Sequence, residues 1–162
     1  MTGGPQGPSR RLAELGIRLP PAAALPPGVK LSYRRLVTSG GTAYLSGHGP
    51  MWGDEVRYRG RVGDDVTVAD AVEAARLTAL SMLRTIHDGL GSIDLVGSWL
   101  RVNGYVRAVS GFDETPIVLN GFTDLVRDLW GPECLPSRTA VGVAELPFGF
   151  CVEVDAVLEL AG

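Results

Sequence analysis

The sequence predicts an α+β fold in which a mixed sheet is covered on one face by two helices. Three observations carry the prediction. Apolar residues recur at helical spacing over 68–89, they do so again in the stretch opening at Thr115, and the segments around both alternate apolar with polar residues. In order, the chain reads β-β-β-α-β-α-β-β. Its 162 residues and 17.1 kDa suit one domain. Hydrophobic residues make up 45% and charged residues 20%, a balance that excludes a disordered or collagen-like chain.

Residues 1–28 read as an N-terminal tail and 29–162 as the folded domain. The first nine residues are rich in glycine and proline. Ser9 is placed to cap a short helix from Arg10 to Leu15, with Gly16 just past its end. Pro20-Pro21 and Pro26-Pro27 make 19–28 a stiff, extended connector. Lys30–Thr38 and Thr42–Ser46 read as strands joined by Ser39-Gly40-Gly41, where glycine supplies the positive φ of a hairpin turn. Glu55–Val62 alternates Val56, Tyr58, Gly60 and Val62 with Arg57, Arg59 and Arg61, as a strand with one arginine-lined, solvated face would.

Thr67 and Asp70 are spaced like a capping box at the head of the 68–89 helix. Val72, Ala75, Ala79, Leu83, Ile86 and Leu90 form its apolar stripe, and Gly89 or Gly91 ends it. Trp99–Val109 follows as a strand. Asn103-Gly104 within it would also suit a tight turn, but each half would then be very short, so one strand is preferred. Pro116 occupies the favoured first position of the second helix. That helix buries Val118, Phe122, Leu125 and Leu129 and stops at Trp130-Gly131-Pro132. Thr139–Leu146 and Phe150–Leu160 are the closing strands, joined by Pro147-Phe148-Gly149.

Fifteen basic and eighteen acidic residues give a net charge of −3, which argues against an extended nucleic-acid surface. Cys134 and Cys151 cannot make a disulfide framework, and the two histidines, His48 and His87, cannot build a conventional Cys/His zinc site alone. His87 lies near a helix C-terminus, where an imidazole suits the dipole, and reads as structural. No apolar run approaches the ~18 residues of a membrane span, and the N-terminus lacks the apolar core of a signal peptide. A cytoplasmic location with no membrane partner is the expectation.

In the last strand, Val152, Val154, Ala156, Leu158 and Leu160 share one face, which reads as core. Cys151, Glu153, Asp155, Val157 and Glu159 share the other. That second face either meets water or is covered by a partner subunit. If covered, its carboxylates require cationic or hydrogen-bonding partners, for which Arg138 is a candidate.

The stretch Pro136-Ser137-Arg138-Thr139-Ala140-Val141-Gly142-Val143, followed by Leu146-Pro147 and Val152-Glu153-Val154-Asp155-Ala156, resembles the closing signature of the Rid family. These are the YjgF-like, reactive-intermediate (imine/enamine) deaminases. Their pattern is Pro-small-Arg, a strand, Leu-Pro, then Val-Glu-(Ile/Val)-Glu-Ala, and the spacing from Arg138 to Glu153 matches without a gap. Ser46-Gly47 resembles the family's Ser-Gly-Gln segment, with Tyr33 at the family tyrosine's distance before it. Asn120 is similar to the family asparagine if one residue is inserted near Trp130–Leu135. The resemblance covers about residues 29–160. It departs from the pattern in the N-terminal extension, in His48 where glutamine is usual, and in Ala140 where a cysteine often stands, as in a divergent branch.

The resemblance implies a chorismate-mutase-like fold assembled as a homotrimer around a sheet-lined barrel, with sites in clefts between subunits. It also implies hydrolysis of a small 2-imino acid or enamine to a 2-oxo acid and ammonia, with no metal or organic cofactor. On this reading the partner is a small molecule bearing a carboxylate, with no nucleic acid involved. Arg138 would hold the carboxylate by a fork of N–H donors. Glu153 would orient water or shuttle a proton. Gly47 would permit close approach, and Tyr33, His48 and Asn120 would line the substrate. Because an imine is already electrophilic, positioning and proton transfer suffice without a nucleophilic triad. Alternatives are a non-catalytic ligand-binding or regulatory trimer and a tailoring enzyme for a larger natural-product intermediate.

Overall fold

The computed structural model describes residues 7–24, 28 and 30–162. The first six residues of the expected tail, 25–27 of the expected connector and 29, the first residue of the expected domain, lie outside the described residues. The elements are α1 (Pro8–Glu14), β1 (Leu36–Ser39), β2 (Thr42–His48), β3 (Met51–Trp52), β4 (Glu55–Val56), α2 (Val68–Leu90), β5 (Val96–Arg107), α3 (Thr115–Trp130), β6 (Ser137–Val143) and β7 (Val152–Leu160). Five strands form one sheet in the order β1-β2-β7-β5-β6, while β3 and β4 make a separate two-stranded ribbon. Only the β5–β6 pair is parallel in the five-stranded sheet. The fold is the mixed-sheet α+β sandwich expected, of chorismate-mutase-like type.

Most elements follow from local chemistry. The Thr67 hydroxyl accepts from the Asp70 backbone N–H at 3.1 Å and caps α2. Gly91, rather than Gly89, ends that helix, with φ 89° in the left-handed region that favours glycine. Helix α1 starts earlier than expected: Gly7, not Ser9, is its N-cap and Pro8 its first residue, since proline's fixed φ suits that position. The Ser9 backbone N–H instead donates to Asp94 at 2.8 Å.

Two expected strands shrink. The first begins only at Leu36, and of Glu55–Val62 only Glu55–Val56 is a strand. Tyr58 (φ 56°) and Gly60 (φ 130°) break the extended backbone there. The three arginines consequently line no common face. Arg57 lies over the Trp52 ring, Arg59 donates to the Phe148 carbonyl at 3.1 Å, and Arg61 reaches Glu145 at 2.7 Å. The closing strands are consecutive in sequence but not neighbours, because β5 lies between β6 and β7. Helix α3 is the crossover that parallel pairing of β5 with β6 requires.

Both long helices cover one sheet face. Val152, Val154, Ala156 and Leu158 of β7 and Val102 and Val106 of β5 are buried beneath them with Leu83, Ile86, Phe122 and Leu125. Each large apolar side chain buried this way contributes about 1.5–3 kcal/mol before entropy is subtracted. Trp99 packs edge-on against Phe122 at 5.6 Å and Trp130 at 5.5 Å. Gly104 is a packing glycine within continuous β5, not a turn residue: a Cβ there would fall 2.3 Å from Leu119. Cys151 does not share the face of Glu153 as alternation implied. It precedes the β7 ladder, is wholly buried in the core, and burial pushes its thiol up to about 12.

Candidate ligand site

Arg138 lies on β6 directly across from Val102 of β5, a core residue, so its side chain points to the helix face of the sheet. There α3 holds it. Nη1 donates to Asn120 Oδ1 at 3.0 Å and to Thr123 Oγ1 at 3.0 Å, and Nη2 donates to the Pro116 carbonyl at 3.2 Å. The structure thus brings Arg138 and Asn120 together. A guanidinium has five N–H bonds; Nε–H and one Nη2–H remain without a partner among the described residues. Partial burial lowers its pKa from the ordinary value, offset in part by Asp124.

Glu153 lies on β7 across from Tyr105 of β5, on the face away from the helices. Its carboxylate rests against Gly47, where a Cβ would come within 2.5 Å of Glu153 Oε1. Burial, aided by the charge of Asp155, raises its pKa above the usual carboxylate value. Beside it, Asp155 accepts from Asn103 Nδ2 at 2.8 Å and from the Tyr105 hydroxyl at 3.0 Å. Arg101 Nε donates to Asn103 Oδ1 at 3.0 Å, and a second Arg101 nitrogen bonds the Thr139 hydroxyl.

A β-bulge between Leu45 and His48 sets which side chain of β2 faces where. Strict alternation from buried Ala43 and Leu45 would put residue 47 inside and 48 outside. The register shift reverses this: Gly47 is exposed toward Glu153, and His48 is buried. The His48 ring lies 2.6 Å (Nδ1) from the Ser46 carbonyl and 2.9 Å (Nε2) from Thr85 Oγ1 of α2. Burial, the largest cause, lowers its pKa to about 4, with nearby Arg35 acting in the same direction. Both ring nitrogens are therefore occupied, away from Glu153. Tyr33 stands 56% exposed before β1 and meets neither Arg138 nor Glu153 by any hydrogen bond.

Thr123 and the Arg101–Asn103–Tyr105 row were not singled out from sequence. The signals were present: Thr123 is one helical turn past Asn120, and the row shares one parity along β5. Among the described residues, no three His, Cys, Asp or Glu side chains are grouped to hold a metal ion, and no helix is long and apolar enough to cross a membrane.

A family profile described as Endoribonuclease L-PSP matches residues 24–160. Protein TCP17 of Trypanosoma cruzi is 39% identical over 150 residues, 92% of this chain and 91% of that protein. The crystal structure of Atu1372, a protein of unknown function from Agrobacterium tumefaciens, superimposes with a TM-score of 0.83 at 37% identity, covering 93% of this chain and 91% of that one. RidA from the Antarctic bacterium Psychrobacter sp. PAMC 21119 aligns with a TM-score of 0.57 at 25% identity, over 85% and 93% of the two chains.

Proposed function

We propose, from the premise that this chain belongs to the endoribonuclease L-PSP (YjgF/Rid) family, that it hydrolyses a small 2-imino acid or its enamine tautomer to a 2-oxo acid and ammonia. One observation carries the reading. Three acceptors on α3 hold the Arg138 guanidinium and leave Nε–H and one Nη2–H as a fork for a carboxylate. An isolated structural ion pair would need a carboxylate already in place, and the Arg138 hydrogen bonds run only to neutral groups.

With the carboxylate on Arg138, the imine carbon is fixed for attack. Water oxygen bonds to that carbon while the nitrogen gains a proton, giving a tetrahedral aminoalcohol. The C–N bond then breaks, ammonia leaves, and the oxygen gives up its proton as the carbonyl forms. Glu153 is suited to this shuttling, because its raised pKa brings its two protonation states closer together at neutral pH. Gly47, having no side chain, lets the Glu153 carboxylate lie directly against the β2 backbone. Since Arg138 and Glu153 face opposite sides of the sheet, one site needs Arg138 of one copy and Glu153 of another, in a closed homotrimer. Tyr33, exposed ahead of β1, closes the crevice. His48 is left out of the contact set because its nitrogens are taken. An acidic chain of net charge −3 gives no support to an RNA substrate.

Ammonia release from freshly generated 2-iminopropanoate or 2-iminobutanoate tests the reading. Arg138→Ala is expected to raise KM, lower kcat and reduce kcat/KM by about 100-fold or more. No ammonia above background would overturn the activity. Stabilisation by 2-oxo acids without turnover would identify a binding trimer instead.

A further inference from the structure

We propose that a second pocket, between the N-terminal connector and α2, binds a small apolar α-amino acid as its zwitterion. The cavity measures about 380 Å³, within the size range of small-molecule sites. Its walls come from the connector, the start of β1 and the C-terminal half of α2, and include none of Arg138, Asn120, Gly47 or Glu153. The extension is held in place as a wall: the Ala24 backbone N–H donates to Asp54 at 2.6 Å.

The polar lining has a defined sense. A carbonyl only accepts, so the 2.6 Å contact of His48 Nδ1 with the Ser46 oxygen fixes the proton on Nδ1. Nε2 is then a bare acceptor, and the Thr85 hydroxyl, 2.9 Å away, donates its only hydrogen to it. What Thr85 presents to the cavity is therefore acceptor lone pairs. Asp88 Oδ2 accepts from Arg84 Nε–H at 3.0 Å, and Oδ1 is left over. Arg35 forms no ion pair among the described residues. The polar lining is thus one cation without an ion pair, Arg35, the Arg84–Asp88 pair with Asp88 Oδ1 left over, the Ser81 hydroxyl, and the acceptor lone pairs of Thr85. A bare carboxylate satisfies Arg35 and is repelled by Asp88 Oδ1 and the Thr85 lone pairs; a bare amine does the reverse. An amino acid carries both groups on one carbon, and Pro21 and Leu36 provide an apolar surface for its side chain. Buried His48, which the proposed reaction does not use, is the residue that fixes this polarity.

Calorimetric titration of the full chain with L-leucine tests the proposal, with 4-methylpentanoate and 3-methylbutan-1-amine as the halves of the ligand. L-leucine is expected to bind, and each half to bind about tenfold more weakly or worse. Arg35→Gln and Asp88→Asn, checked for unchanged melting without ligand, should each weaken L-leucine about tenfold. Arg138→Ala should leave its affinity unchanged, which separates this pocket from the site proposed for the imine. The proposal fails if L-leucine, L-valine and L-methionine all give no binding, if 4-methylpentanoate binds as tightly as L-leucine, if both pocket variants bind like wild type, or if Arg138→Ala abolishes binding.

Discussion

Arg138 and Glu153 point to opposite faces of the same sheet, one toward α3 and the other away from both helices. Two strand spacings of about 4.8 Å also separate their backbones. No side-chain rotation within one chain brings them onto a common small substrate. A site that uses both must draw them from two copies through a repeating head-to-tail contact.

Mixing therefore restores what each variant lacks. Arg138→Ala and Glu153→Ala chains, each nearly inactive alone, should recover up to about a quarter of wild-type activity when unfolded and refolded together in equal amounts, since random pairing leaves that fraction of interfaces intact. Ammonia-release assays on the co-refolded sample read this directly. Recovery no greater than the sum of the separate variants would place both residues in one chain's site or in none.

Gly47→Ala puts a methyl where the Glu153 carboxylate now lies, 2.5 Å from Oε1. The clash is with the far end of a flexible side chain, so the fold should persist while the carboxylate is displaced. We expect kcat to fall about tenfold with a smaller change in KM, as misplacement of a proton-transfer group does. Steady-state kinetics beside an unchanged melting temperature would bear this out; unchanged kcat would detach Glu153 from the chemistry.

Gly121 sits where α3 meets α2, and a Cβ there would lie 2.0 Å from the Val72 carbonyl oxygen. Backbone cannot rotate away, so the helices must separate. Gly121→Ala should cost about 2–4 kcal/mol in urea unfolding. Gly89→Ala is the control. The atoms nearest its Cβ would be those of Leu36, at an ordinary 3.5 Å and beyond, and alanine's better helix propensity should leave stability unchanged or raised by up to about 1 kcal/mol.

His48 ties stability to acidity. Its pKa in the fold, about 4, lies below the ordinary 6.5, so between these values the unfolded chain binds more protons. This contribution is fully present above pH 6.5 and is lost as pH falls toward 4, on the order of 3 kcal/mol in all. Glu153, with its pKa raised by burial, works the other way: its folded form takes a proton first, and stability falls as pH rises from the ordinary carboxylate value through the raised one. Urea midpoints between pH 7 and 4 should show wild type losing about 3 kcal/mol more than His48→Gln. Equal slopes would remove His48 as the cause.

Much of this architecture was legible because it repeats along the chain. The period-two pattern of β7 separates Val152, Val154, Ala156 and Leu158 from Glu153 and Asp155, and the α2 and α3 stripes place both helices on one face. What escaped was decided by contacts between distant segments. Arg57, Arg59 and Arg61 alternate like a strand, yet each is claimed by a different neighbour. The insertion of β5 between β6 and β7 has no local signature. At the site, Arg138 and Asn120 do meet, but Thr123, the third member of that cluster, is evident only once α3 is set against β6.

The irregularity in β2 makes the strand tolerant of a change in its own length. The single extra residue lets Ala43 and Leu45 face inward upstream and His48 face inward downstream; removing Ser46 would restore strict alternation with the imidazole still beneath α2 and the glycine still beside the carboxylate. Loss of one residue at that point would therefore leave every remaining side chain of β2 on the face it occupies now, whereas a point substitution at Gly47 or His48 acts on one face alone.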